Sequence, residues 1–150
     1  MSRAGFDKGV SILHFLGGSS VDVKGECAIA QTKMTINQRA TVDGVLVDVV
    51  CTGRFYDFFA KRGGKWGIVR RQSIYEKDRM DPVDPAAKLA LDPELLGRFP
   101  EGYRHLAYLQ TKNGFIVKLL DLPGLKGPSV QALYAHGRAW LDGAASAFPA

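Results

Sequence analysis

Val45–Lys77, VLVDVVCTGRFYDFFAKRGGKWGIVRRQSIYEK, is the stretch whose reading decides the fold. β-Branched and aromatic residues run along both arms, and Gly63-Gly64 between them accepts the positive φ of a tight hairpin tip. Two long antiparallel strands are therefore predicted. With the glycine pair at the tip and no bulge, Phe59 faces Ile68, Asp57 faces Arg70 and Tyr56 faces Arg71.

Moving upstream, Asp43-Gly44 is a second hairpin tip, and Cys27 to Ile36 alternates with mostly apolar even positions. Lys24-Gly25 is a third turn, preceded by the short alternating run Ser19–Val23. The expectation is a meander of four antiparallel strands at about 19–24, 26–39, 45–60 and 66–76. Before it, Gly5–Leu16 has apolar residues at Phe6, Val10 and Leu13, a spacing that predicts a short helix ended by Gly17-Gly18.

Tracing both hairpins puts Ala30, Thr32, Met34, Ile36, Val47, Val49, Phe55, Phe59, Trp66, Ile68 and Ile74 on one face, with Asp57 and Arg70. Arg54, Tyr56, Phe58, Arg71, Ser73 and Tyr75 fall on the other, a mixture too apolar for open solvent. Strands this long containing Gly53 and Gly67 are expected to bulge, and a bulge changes which side chains share a face.

Downstream, Asp81-Pro82, Asp84-Pro85 and Asp92-Pro93 each place a capping carboxylate before the residue suited to a first helical turn. The last predicts a short helix with Leu95, Leu96 and Phe99. A second runs from Glu101 to Lys112 and stops at Asn113-Gly114. A third opens at Pro128 with Val130, Leu133, Tyr134, Gly137 and Leu141 on one stripe.

The 150 residues, 46% hydrophobic and 23% charged, predict one domain: helix and meander over about 5–80, helical extension over about 81–150. No apolar run is long enough for a bilayer and no secretory leader is visible, so no membrane contact and a cytoplasmic location are expected. The net charge of +5 includes Lys61, Arg62, Lys65, Arg70 and Arg71, but Asp57, Glu76 and Asp78 interrupt them. Phosphate-binding surfaces keep one sign, so no nucleic-acid partner is expected. Cys27 and Cys51 read as reduced thiols. His14, His105 and His136 lack ligand spacing, and phosphate-loop, nucleophile-elbow and zinc-helix motifs are missing, so neither metal nor cofactor is expected.

Several segments carry a resemblance: His14, Gly25 and Ala28; Gly53-Arg54-Phe55-Tyr56-Asp57; Gly64-Lys65-Trp66-Gly67-Ile68-Val69-Arg70-Arg71; and the tails PEGYRHLAYLQTKNGF and GLKGPSVQALYAHGRAWLDG. Over roughly 5–143 the chain resembles the SnoaL-like branch of the nuclear transport factor 2-like superfamily. The resemblance implies an α+β fold: a curved antiparallel or mixed sheet wrapped by helices into a cone-shaped barrel, here with extra C-terminal helices. Its pocket would host dehydration, dehydrohalogenation, isomerisation or cyclisation of small hydrophobic molecules. It also implies His14 as the catalytic base and Phe55 as a pocket-lining residue. The branch's N-terminal helices carry an acidic or phenolic partner for that base; the expectation is a member shortened at that end or one completed by another polypeptide.

A histidine near neutrality suits proton abstraction, and Arg71 and Ser73, with Tyr75 beyond, suit a carbonyl or oxyanion. One expectation is therefore a cofactor-independent, dehydratase-type lyase or isomerase, with His14 as base and Phe55, Arg71, Ser73 and Tyr75 binding substrate. The alternative is a non-catalytic ligand-binding or assembly module that forms a homo-oligomer through a sheet face.

Overall fold

The computed structural model describes residues 11–119 and 122–144. Four strands, β1 (Ser11–Lys24), β2 (Cys27–Val42), β3 (Val45–Arg62) and β4 (Lys65–Pro82), form one antiparallel sheet in the order β1-β2-β3-β4. Helices α1 (Pro93–Gly97), α2 (Arg104–Lys112) and α3 (Pro128–Leu141) follow, giving an α+β fold. Gly25, Gly44, Gly63 and Gly64 all adopt positive φ at the hairpin tips.

The predicted helix Gly5–Leu16 is corrected in its described part. Residues 11–16 begin β1, and 5–10 lie outside the described residues. A short apolar run fits either periodicity, and here the partner decides. Without this segment, β2 from Met34 to Arg39 would present an unpaired edge; Ser11–Leu16 pairs with it rung by rung. Gly17-Gly18 bulges the strand instead of ending a helix, because Leu16 faces Met34 while Ser19 faces Thr32.

Pairing of β2 with β3 is unbroken, so alternation along β3 defines two faces. Val47, Val49 and Cys51 point to the first face and pack with Met34 and Ile36 of β2 and Leu106, Tyr108 and Leu109 of the α2 region. Tyr56 and Phe58 point to the second and pack with Ile29, Ile74 and the Val130, Leu133 and Trp140 stripe of α3. Both clusters hold fully buried side chains, each worth about 1.5–3 kcal/mol in transfer terms. Cover is therefore diagonal, with α2 on one face at one end of the strands and α3 on the other face at the other end.

Two bulges in β4 correct the face assignments. Phe59 faces Ile68 as predicted, but Phe58 faces Arg70, leaving Val69 as the extra residue. Asp57 consequently faces Arg71, not Arg70, and Phe55 faces Ser73. Ile74 moves to the second face, while Arg71, Ser73 and Tyr75 move to the first. The next shift lies beside Gly53, where Gly53 faces Tyr75 and Thr52 faces Lys77, with Glu76 extra. Gly53 is required there, because a Cβ would come 2.0 Å from the Ile74 carbonyl oxygen.

The predicted cap at Asp92 accepts from the backbone N–H groups of Glu94 and Leu95, and Asn113 closes α2. The start of α2 is built differently. Asp78 of β4 accepts from the backbone N–H groups of His105 and Leu106 at 2.6 and 2.9 Å, supplying from a strand the cap that the helix lacks locally. Gly102 permits this approach at φ 89°, with its Cβ position 2.7 Å from the Tyr75 oxygen.

Candidate functional site

The register shift at Val69 gathers four sequence-predicted binding residues on the first sheet face. Phe55 comes from β3, and Arg71, Ser73 and Tyr75 from alternate positions of β4. Arg71 donates from Nε and Nη2 to the two carboxylate oxygens of Asp57 at 2.7 and 2.8 Å. Its guanidinium carbon lies 4.2 Å from the centre of the Phe55 ring. The Asp57 side chain is 3% exposed and that of Arg71 45%, so a buried carboxylate holds a cation that still reaches the surface. The two-pronged bond to Asp57 raises the Arg71 pKa above the ordinary arginine value, against a smaller opposing effect of burial.

Beyond Arg71 the row becomes aromatic. The Tyr75 and Tyr103 rings are 4.3 Å apart, centre to centre. Burial raises the Tyr75 pKa, and the hydrogen bond with Ser73 partly offsets this. Tyr103 is raised further, mainly by burial, and its hydroxyl bonds Gln110. The backbone N–H of Tyr75 donates to the Pro123 oxygen, and the parallel bridge of Tyr75 to Gly124 fixes this edge of β4. The row therefore presents guanidinium, hydroxyl and phenol groups beside aromatic walls.

His14 is not part of this gathering. It is exposed on β1, on the first sheet face, where it faces Ile36, which in turn faces Cys51. Arg71 belongs to the Asp57 rung, roughly 20 Å further along the strands at the usual rise per residue. A base at His14 and an oxyanion group at Arg71 do not reach one small substrate together.

Plain alternation along β4 pairs Asp57 with Arg70 and gives Tyr103 and Asp78 no place beside it. The bulge residue Val69 carries no composition signal, whereas GRFYD followed by RRQS offers two arginines to one buried acid. Cys51 is buried, donates to the Gly102 oxygen at 3.3 Å and has a thiol pKa pushed up to about 12, chiefly by burial. Cys27 is half-buried and both thiols are free. Among the described residues no three His, Cys, Asp or Glu side chains converge as a metal site, and no helix is long and apolar enough to cross a membrane.

The class these features define is an α+β protein with a polar-aromatic row on one face of a four-stranded antiparallel sheet. No family model matches the chain. The chain is similar to a PEP2-like protein of Fusarium vanettenii, 40% identical over 151 residues, and to Pea pathogenicity protein 2 of the same fungus, 39% identical over 151. An uncharacterized protein of Emericella nidulans is 36% identical over 156 residues. Each match covers 95% of this chain; the chain spans 65% of the length of the two Fusarium proteins and 66% of the Emericella protein.

Proposed function

We propose that this chain supplies one wall of a SnoaL-like site for a small hydrophobic molecule, with Phe55, Arg71, Ser73 and Tyr75 as the binding groups. The observation that carries this is Arg71, held against Phe55 by the buried Asp57 while its Nη1 stays outside the two-pronged bond. A carbonyl or hydroxyl of the ligand would take the free donors while its apolar body lies against the rings. The name of one relative states a biological setting and no reaction, so the chemistry rests on the sheet. Titration with Nile red, a neutral carbonyl-bearing dye, tests it. Arg71→Ala and Tyr75→Ala should each weaken binding about tenfold, and affinity unchanged in both would end the proposal.

Dehydratase-type lyase or isomerase chemistry, with the sheet closed into a cone by further helices, is the activity this wall would serve. His14 is the proposed base only for a substrate held over β1, out of reach of Arg71. Turnover of a hydrated or halogenated substrate that survives His14→Ala would assign the base elsewhere. A second reading is homo-oligomerisation of this chain through the same sheet face, favoured by Val21, Val23, Ile68 and Trp66, which are 59, 61, 51 and 44% exposed. Light scattering that gives the monomer mass at high concentration would remove it.

A further inference from the structure

We infer that Asp57 fixes the charge class of the ligand, so that the row selects neutral carbonyl compounds and turns away carboxylates and phosphates of the same shape. The inference rests on the binding-wall reading above and adds a specificity residue to it.

An arginine on a sheet face beside aromatic rings would ordinarily suggest an anion site, since the guanidinium fork matches a carboxylate in geometry and charge. Here one edge of the fork is already filled and its charge answered. Nε and Nη2 of Arg71 both bond Asp57, each oxygen taking one donor at 2.7 and 2.8 Å. That acid is sunk into the sheet at 3% exposure, where water screens it little. The other side chains of the row, Phe55, Ser73, Tyr75 and Tyr103, are a phenyl, a hydroxyl and two phenols.

The row therefore presents donors without net charge. A ligand carboxylate brought to the outer edge of Arg71 would give up hydration and find the cation already neutralised, with a second carboxylate behind it. A neutral carbonyl gives up far less hydration and needs one donor, which Nη1, the Ser73 hydroxyl or the Tyr75 phenol can provide. Asp57 touches no ligand in this scheme. It is a positioning residue that holds the guanidinium plane against Phe55, 4.2 Å from ring centre to guanidinium carbon, and sets its effective charge.

Acetophenone and benzoate, matched in ring and differing in charge, test this in NMR titrations that follow the Phe55 and Tyr75 ring signals. The wild-type chain should bind acetophenone about tenfold or more tighter than benzoate. Asp57→Asn, which keeps the shape and removes the charge, should move that ratio about tenfold or more toward benzoate. Tighter benzoate binding by the wild type, with shifts on those rings, overturns the inference and leaves the binding wall standing. Absence of ring shifts with both probes removes the binding wall and this inference with it. A folded Asp57→Asn protein with an unchanged ratio also overturns it. The wild-type preference decides the matter by itself if that variant does not fold.

Discussion

Asp57 and Asp78 lie on the same face of the same sheet, and both are buried, at 3% and 2% side-chain exposure. They do opposite things. Asp78 spends its carboxylate on the closed end, where two backbone N–H groups of α2 and Nδ1 of His105 surround it. Asp57 spends its carboxylate at the other end, on a guanidinium that remains 45% exposed. The difference is in what each acid holds: mostly backbone N–H groups at Asp78, a half-exposed cation at Asp57. Asp78 is architecture, and Asp57 is the acid of the proposed binding wall.

The sharpest test of the contrast is stability. Asp78→Ala strips the N-terminus of α2 of the side-chain cap that Tyr103 does not supply and leaves buried N–H groups unpaired, which should cost about 3 kcal/mol in urea unfolding. A loss under about 1 kcal/mol would mean that α2 holds its place through Leu106, Tyr108 and Leu109 alone.

Alkaline pH probes the same closed end. Cys51 there has a pKa raised from 9.0 to about 12, by burial first and by Asp78 second. The native thiol keeps its proton where the unfolded thiol loses it, so this contribution to stability is complete below pH 9 and is lost as pH rises through 12. Tyr75 and Tyr103, both raised, act with the same sign. Urea midpoints should fall above pH 9, less steeply in Cys51→Ala, and equal slopes would show the thiol to be open to water.

At the open end the expected effect is smaller. Asp57→Ala frees an arginine that can turn to water, so the cost should be about 1 kcal/mol, well below that of Asp78→Ala. A larger loss than at Asp78, in calorimetry of the two variants side by side, would invert the comparison. The smallest change concerns Gln38, which is 1% exposed on the α2 side with its Oε1 unpartnered. Gln38→Leu should gain up to about 1 kcal/mol, and a loss would show that the amide is serving a group in its surroundings.

Much of the fold was legible because it depends on local chemistry. Glycine at each hairpin tip, Asp92 before Pro93 and the Val130, Leu133 and Gly137 stripe act through neighbours a few residues away. His14 was misplaced because Ser11–Leu16 suits helix and strand alike, and the unpaired edge of β2 that decides between them is distant in sequence. The candidate site was half legible. Its residue types stood out, but alternation from the Gly63-Gly64 tip gave β4 the wrong face beyond the first bulge.

By itself the sequence determined four extended segments, their order, their turns and the three helices after them, since each follows from backbone preferences and patterning within a short window. Tertiary structure decided which side chains meet. Val69 turns Arg71 onto the face of Asp57, and Glu76 turns Asp78 under the start of α2. A bulge is a property of two paired strands and not of either one, and a single extra residue reverses every side chain that follows it.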